Sequence, residues 1–350
     1  MQTSSQTFVP KKSFTTRCLN WLGLTNEVTI KVYHGYGHTH NLVLYGHVLQ
    51  LGPMRRTKYT KSLLHNILAL LRLFIVKPYP FITVQLHWKE QLITTQTDSD
   101  GFFKFEWEDD SAAKPGWHTV LVTTSIDGNN IAGTGAVYIT HATQYGFISD
   151  IDDTFLISHS SNLIKRLRLL FTRNARSRKP FEGVVIHYQL MAQSNTTADA
   201  PNPFFYVSSS EWNLYDFLLE FTNVNALPQG VFLLNVLKSI GQIFKTGQNN
   251  HATKFIRIAR ILESYSRQQF VLLGDSSQQD PYIYASLANH FPTQVKAVYI
   301  RAVHKKNYHK VAAVLQKIEA ANVPCCFFQH SSEAIAHSKK IGLITENNTA

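Results

Sequence analysis

The sequence predicts an all-β sandwich domain followed by a Rossmann-like α/β domain. Short alternating apolar runs fill the first part of the 350-residue chain, whereas after about residue 143 apolar strand-like runs alternate with helical patterns. A chain of this length is also too long for one ordinary core, so two domains are expected. We assign residues 1–26 to an N-terminal leader, 27–142 to the sandwich and 143–345 to the α/β domain.

The strands of the first part are predicted from runs in which apolar and polar residues alternate, as in strands with one buried face. The runs cover residues 28–34, 42–49, 81–88, 102–107, 118–124 and 134–140. Turn residues such as "DSDG" at 98–101 separate them. Regularly spaced short strands of this kind are typical of a β-sandwich.

The second part shows a different pattern, in which continuous apolar runs are followed by helical periodicity. The apolar runs cover 145–149, 204–208, 269–274, 295–300 and 323–328, and the helical patterns cover 211–221, 252–265, 281–291 and 308–320. This βαβ alternation predicts a parallel sheet that is buried on both faces. Ligands bind beyond the carboxyl ends of the strands in such sheets.

Acidic residues follow two of these predicted strands. Asp150 and Asp152 stand one and three residues after the run at 145–149, and Asp275 directly follows the run at 269–274 and precedes Asp280. Like charges that meet at one sheet edge raise the cost of ionising one another, so a cation is expected among them. Hard oxygen ligands point to Mg²⁺. An acidic surface turn and a structural Ca²⁺ loop are the alternatives for "DIDDT" at 150–154.

Two further residues complete a predicted phosphate site. Ser208, which offers a hydroxyl, ends the run at 204–208. Lys254 stands near the start of a helical pattern that precedes the Asp275 strand. A carboxylate nucleophile, a second carboxylate, a hydroxyl, an ammonium group and a metal site together favour phosphoryl transfer through an aspartyl-phosphate. The alternative for the serines is a helix N-cap, which we predict for Ser210.

These residues occur in the order of the four motifs of the haloacid dehalogenase-like phosphatases. "DIDDT" at 150–154 resembles the first motif, Ser208 the second, Lys254 the third and "GDSSQQD" at 274–280 the fourth. "GFISDIDDT", "RSRKPFEGV" and "FFYVSSSEWNLYDFL" also resemble the family similar to the actin-patch phosphatidate phosphatase. The resemblance spans roughly residues 28–342 and implies a basic insertion at about 155–203.

The resemblance implies a role for each matching residue. Asp150 would be the nucleophile and Asp152 the general acid and base, while Thr154 would steady the motif loop. Ser208 and Lys254 would act on the phosphate. The implied Mg²⁺ ligands are Asp150, Asp152 through its backbone carbonyl, Asp275 and Asp280, and the implied substrate-binding residues are Ser209, Arg178 and Lys179. The implied reaction converts phosphatidate to diacylglycerol and phosphate.

The formal charge of +11 favours an anionic partner. Residues 54–77 carry six Lys or Arg and residues 162–179 carry seven, with leucines between them and no acidic residue. Such segments are typical of helices that lie on an anionic membrane surface, although each could instead pack on its own domain. Neither contains an aromatic stacking platform, so no nucleic-acid partner is expected.

The remaining features indicate a cytoplasmic protein with peripheral membrane association. The N-terminus has no apolar signal-peptide core, and the three cysteines form no CxxC pattern. His34, His38 and His40 lack a cysteine or acidic partner at a suitable spacing, so no zinc site is expected. Two rival functions stay open: the same chemistry on a soluble phosphomonoester or phosphorylated macromolecule, and non-catalytic binding of acidic lipid.

Overall fold

The architecture is taken from a computed structural model of the chain. It describes residues 24–53, 72–109, 113–141, 145–151, 180–237, 250–277, 279–303 and 305–345. Within these residues, strands and helices alternate in the second part of the chain, whereas the first part contains strands and one short 3₁₀ turn at Arg72–Phe74. No helix in the described residues is long and apolar enough to cross a membrane.

The described strands of the first part form an all-β unit, here called the β unit. They are β1 (Leu24–Thr25), β2 (Thr29–Val32), β3 (Gly35–His38), β4 (Asn41–Pro53), β5 (Lys77–Pro78), β6 (Thr83–Trp88), β7 (Gln91–Gln96), β8 (Phe102–Trp107), β9 (Gly116–Ile126) and β10 (Asn129–Ile139). The long strand β4 pairs with β2, β3 and β8, and β10 joins β3 to the β9-β6-β7 meander.

The alternating runs of the sequence fill the core of the β unit. Leu44 of β4 and Phe105 of β8 pack in one cluster with Leu86 of β6, Val122 of β9 and Val137 of β10. Successive side chains of a strand point to opposite faces, so in β8 the buried Phe105 alternates with the exposed Lys104 and Glu106. β7 was not predicted, because this strand at the end of the sheet buries none of its side chains fully.

The second part of the described chain is an α/β unit with a six-stranded parallel sheet. Its strands are β11 (Gly146–Asp150), β12 (Phe204–Glu211), β13 (Gly230–Asn235), β14 (Phe270–Asp275), β15 (Val295–Arg301) and β16 (Cys325–Phe328). Its helices are α1 (Val184–Gln193), α2 (Tyr215–Val224), α3 (Asn250–Ser264), α4 (Asp280–His290), α5 (Tyr308–Ala320) and α6 (Ser331–Lys340). The strand order β13-β12-β11-β14-β15-β16 places β11 inside the sheet.

Helices cover both faces of this sheet, which explains why its strands are continuously apolar. Phe147 packs with residues of α1, α2 and α6, whereas its neighbour Ile148 packs with residues of α3, α4 and α5. The prediction of an α/β region after a β region is thus confirmed. Strand β13 and helices α1 and α6 were not predicted. The domain boundaries remain a prediction.

The β unit contacts the α/β unit through the residues between β2 and β3. The ring of Tyr33 stacks on Trp212, with centroids 4.1 Å apart and an interplanar angle of 11°. The backbone N–H of His34 donates to the hydroxyl of Tyr215 at 3.0 Å, and its Nδ1 lies 2.8 Å from the carbonyl oxygen of Gly230. Burial lowers the pKa of His34, so this histidine is a neutral structural residue.

Candidate active site

The carboxyl end of β11 brings Asp150 to the edge of the parallel sheet. All five residues of this strand are buried, and Asp150 itself is 1% exposed. It pairs in register with Val207 of β12, so Ser208 follows at the end of the neighbouring strand. Behind it, the hydroxyl of Ser149 lies 2.8 Å from that of Tyr188 on α1, which anchors the end of β11 to a helix.

The other neighbour of β11, β14, ends with Gly274 and Asp275 at the same sheet edge. The chain then turns into α4, whose first residue is Asp280. One oxygen of the Asp280 carboxylate accepts a hydrogen bond from the backbone N–H of Asp275 at 3.3 Å. The turn therefore places the two acidic residues of the "GDSSQQD" segment side by side.

Lys254 reaches this edge from α3 and joins two of the carboxylates. Its ammonium group donates to Oδ1 of Asp150 at 2.7 Å and also to Oδ1 of Asp280. Burial by itself lowers the pKa of Lys254, but the Asp150 and Asp280 carboxylates outweigh burial and raise that pKa above its ordinary value. The lysine is therefore a buried cation held between two carboxylates.

Asp150, Asp275 and Asp280 form a buried acidic group that fits a divalent metal ion. Each offers a carboxylate oxygen, and these oxygens lie within 4.8 Å of one another. Three carboxylates and the Lys254 ammonium leave a formal charge of about −2 in this group, which a hard divalent cation would balance. Mg²⁺ prefers carboxylate oxygens, so the donor chemistry suits the predicted cofactor.

The serines near the end of β12 are arranged differently from the prediction. Ser208 is fully buried, and its Oγ accepts a hydrogen bond from the backbone N–H of Ser210 at 2.9 Å. Ser209 is half-buried beside it. The predicted N-cap role of Ser210 is wrong: β12 continues through Glu211, which itself precedes the first helical turn, Trp212–Leu214. β12 is thus longer than predicted, and its pairing with β13 shifts register between Val207 and Glu211.

The sequence analysis did not predict two residues at this edge, Arg257 and Asn235. Arg257 on α3 donates to the carbonyl oxygen of Ser208 at 3.0 Å and to Oδ1 of Asn235 at 3.1 Å. It stands three residues after Lys254, so both side chains leave the same face of the helix. The guanidinium thus ties α3 to the ends of β12 and β13. The i, i+3 spacing of Lys254 and Arg257 in the predicted helix could have indicated that Arg257 lies near the site.

Several predicted site residues lie outside the described part of the chain: Asp152, Thr154, Arg178 and Lys179. The basic segment 162–179 lies there entirely, and of the segment 54–77 only residues 72–77 are described. The structure therefore brings together Asp150, Lys254, Asp275 and Asp280, with Ser208 on the adjoining strand.

Comparison with known proteins points to one family. Residues 145–302 match the family model for the catalytic domain of phosphatidate phosphatase APP1. Phosphatidate phosphatase APP1 of Saccharomyces cerevisiae is 31% identical over 211 residues, which cover 59% of this chain and 34% of the yeast protein. An uncharacterized protein of Schizosaccharomyces pombe is 26% identical over 189 residues, covering 53% of this chain and 29% of that protein. The chain thus spans about a third of the length of these relatives.

Similarity to solved structures is too weak to support an argument. A bacterial immunoglobulin-like domain of the M. primoryensis ice-binding adhesin aligns with 32% of this chain and 94% of its own, at 19% identity and a TM-score of 0.19. A carbohydrate acetylesterase of Xanthomonas citri aligns with 83% of this chain and 75% of its own, at 9% identity and a TM-score of 0.28. The family match and the yeast relative support the predicted resemblance: residues 145–302 are similar to the catalytic domain of phosphatidate phosphatase APP1.

Proposed function

We propose that this chain is a Mg²⁺-dependent phosphatidate phosphatase that releases diacylglycerol and phosphate through an aspartyl-phosphate on Asp150. The observation that carries the proposal is the contact of Asp150 with Lys254 beside Asp275 and Asp280, at the carboxyl edge of a parallel sheet. The substrate is taken from the name of the yeast relative and of the matching family. The activity of the whole chain is part of the proposal.

We also propose that the α/β unit has the haloacid dehalogenase-like fold. The first motif ends an inner strand of the sheet, the second and fourth end its two neighbours, and the third lies on a helix that reaches the same edge. We keep the domain limits at 27–142 and 143–345, after a leader at 1–26, as part of the proposal. The insertion would occupy about 155–203 and contains α1.

In the proposed mechanism, Asp150 attacks the phosphorus atom and the bond to the lipid oxygen breaks. Lys254 would orient the carboxylate of Asp150 for the attack through its hydrogen bond to Oδ1. Asp152 protonates the leaving oxygen and then removes a proton from the water that hydrolyses the acyl-phosphate. Ser208 and the adjacent Ser209 would contact the phosphoryl oxygens, with Thr154 supporting the loop.

The acidic group would hold the metal. Asp150, Asp275 and Asp280, with the backbone carbonyl of Asp152, would supply its ligands. A bound Mg²⁺ would offset the negative charge of the phosphate and carboxylate as they approach. Without the cation, these two anions would repel each other at this buried edge.

Access to phosphatidate requires contact with a lipid surface, and we propose that the basic segments provide it. Residues 54–77 and 162–179 combine positive charge with leucines, and each Lys or Arg near an acidic bilayer contributes about 1 kcal/mol. Arg178 and Lys179 would contact the phosphatidate headgroup itself. We therefore propose a cytoplasmic protein with peripheral membrane association.

Phosphate release by purified Asp150→Asn protein tests the proposal. We expect turnover of phosphatidate in mixed micelles to fall at least about 10³-fold, or roughly 4 kcal/mol in the barrier, because an amide cannot form the acyl-phosphate. The fold should survive, since the amide oxygen can still accept the Lys254 hydrogen bond. Asp100→Asn, at an exposed turn of the β unit, is the matched control. A variant that kept a tenth of the activity would rule out the aspartyl-phosphate.

The substrate and the metal are tested on the unaltered chain. Phosphatidate micelles should be hydrolysed faster than water-soluble phosphomonoesters, and excess chelator should abolish both activities. Mg²⁺ should also raise the thermal midpoint, because ligand binding favours the folded state. Equal rates on both substrate classes would favour a soluble phosphomonoester. Lipid binding without turnover would favour a non-catalytic binder.

A further inference from the structure

Tyr188 of α1 begins a hydrogen-bond chain that reaches the backbone of Asp150. The hydroxyl of Ser149 donates to the carbonyl oxygen of Asp150 at 2.9 Å. The same hydroxyl lies 2.8 Å from that of Tyr188. A serine hydroxyl carries one proton, so when Ser149 donates to the carbonyl, Tyr188 donates to Oγ of Ser149. The chain therefore runs from α1 through Ser149 to the peptide bond that follows Asp150.

The chain lies inside the protein, at the end of β11. Ser149, Asp150 and Tyr188 are all buried. Burial raises the pKa of Tyr188, so the phenol keeps its proton. A buried polar group that loses its hydrogen-bond partner is not solvated by water instead, so these hydrogen bonds are costly to break. The position of the Asp150 carbonyl is therefore strongly held.

The place of Asp150 at the end of its strand makes this support important. The pairing of β11 with β14 runs from Gly146 to Ser149, whereas on the other side Asp150 still pairs with Val207 of β12. Lys254 of α3 holds the carboxylate through Oδ1. The side chain and the backbone of Asp150 are thus held by two different helices, α3 directly and α1 through Ser149.

The ring of Tyr188 is held independently of its hydroxyl. It packs on Phe204, with ring centroids 5.3 Å apart. Phe204 in turn stacks on Phe147 of β11, with centroids 5.0 Å apart and an interplanar angle of 17°. Replacing tyrosine by phenylalanine keeps a ring of the same shape in this core and removes the hydroxyl. One substitution can therefore separate the hydrogen bond of Tyr188 from its packing.

We propose that Tyr188 is a positioning residue for Asp150 and acts through Ser149. The inference rests on the proposed function, in which Asp150 attacks the phosphorus atom. The chain fixes the peptide after Asp150 and thereby the direction in which the Asp150 side chain leaves the strand. Loss of the phenol hydroxyl should slow the chemical step and leave substrate binding unchanged, because a misplaced reacting group lowers kcat in the bound complex.

Kinetics of Tyr188→Phe on phosphatidate in mixed micelles test the inference, with a water-soluble phosphomonoester in its place if the wild type hydrolyses only that. We expect kcat to fall about tenfold, equivalent to about 1.4 kcal/mol in the barrier, and KM to stay within about twofold of the wild type. Tyr206→Phe is the matched control, because it removes another buried phenol, whose hydroxyl donates to the carbonyl oxygen of Pro228 at 2.8 Å. Both variants should unfold at lower urea concentration, but the control should keep its kcat.

A double-mutant cycle tests whether Tyr188 acts through Ser149. Ser149→Ala removes the middle of the chain and should lower kcat at least about tenfold. In the Ser149→Ala background, Tyr188→Phe should change kcat by less than about threefold, because the connection to Asp150 is already broken. Two residues that acted independently would instead multiply their effects.

Three results in an active protein would overturn the inference. They are a kcat of Tyr188→Phe within about threefold of the wild type, an equal loss of kcat in Tyr206→Phe, and an undiminished effect of Tyr188→Phe in the Ser149→Ala background. A wild type that releases phosphate from neither substrate class would refute the proposed function and this inference with it. The activity of the unaltered chain, measured first, therefore distinguishes the two failures.

Discussion

Gly274 stands where α4 approaches β14 most closely, and Gly274→Ala should damage the acidic group. A Cβ atom at this position would lie 2.7 Å from Oδ2 of Asp280, 2.9 Å from its Cβ and 2.8 Å from Cε2 of Tyr284. Ordinary contacts between such atoms begin at about 3.4 Å, so the start of α4 must withdraw by roughly 0.5–0.7 Å. Rotation of the Asp280 side chain does not relieve the clash, because its Cβ is involved.

The displacement acts on catalysis and on stability. Asp280 accepts hydrogen bonds from Lys254 and from the backbone of Asp275, so its withdrawal disturbs the proposed metal ligands together. A misplacement approaching 1 Å can cost about 10²-fold in rate, and we expect kcat/KM for phosphatidate to fall by about that factor. Overpacking should lower the free energy of unfolding by about 1–3 kcal/mol.

Phosphate release and urea unfolding, each with and without Mg²⁺, measure these effects. Gly52→Ala is the matched control, because among the described residues a Cβ there meets only the side chain of Leu49, at 3.2 Å. The control should keep its activity and its response to Mg²⁺. If Gly274→Ala retained kcat/KM within threefold and the wild-type Mg²⁺ response, the acidic group would not depend on this close approach.

Three other substitutions probe the buried charges and histidines. Lys254→Met should lower the free energy of unfolding in chelator by about 3–5 kcal/mol, since it leaves buried carboxylates uncompensated, and an unchanged urea midpoint would contradict this. Arg257→Gln should lower kcat about tenfold with little change in KM, because the carbonyl of Ser208 loses its guanidinium partner. A change in KM alone would contradict the idea that Arg257 positions Ser208. Burial, with a smaller effect of His337, lowers the pKa of His187 from 6.5 to about 3. The folded state then binds fewer protons than the unfolded state, so the contribution of His187 to stability is complete above pH 6.5 and falls by about 1.4 kcal/mol per unit as the pH decreases toward 3. His187→Gln should remove this part of the acid dependence measured by urea unfolding, whereas the exposed control His309→Gln should leave the wild-type slope.

The sequence was sufficient for the elements whose apolar patterns are strong. The run at 102–107 became β8 with the same limits, and the continuous runs at 145–149 and 269–274 became the buried strands β11 and β14. A parallel sheet covered on both faces requires apolar residues on both sides of each strand, so such strands are visible in sequence. Their ends then indicate which acidic residues share one edge.

Where the sequence pattern was weaker, tertiary contacts decided which strand or helix formed. Strand β13 completes the sheet beside β12, and α1 and α6 are held by burial against the sheet rather than by a clear helical pattern of their own. Ser210 looked like a helix cap, but pairing between β12 and β13 extends the strand through Glu211. Local propensity is a small effect that packing overrides.

The acidic group shows most clearly which features follow from the sequence and which depend on the tertiary structure. The residue types and their places at strand ends follow from the sequence alone, which determined that carboxylates would meet at one edge. That the Lys254 ammonium lies between Asp150 and Asp280, although 104 residues separate it from Asp150, was decided only by the tertiary structure. The same holds for the hydrogen bonds of Arg257. Distances between residues far apart in the chain depend on how helices and sheets pack, and packing is a property of the whole fold rather than of any local segment.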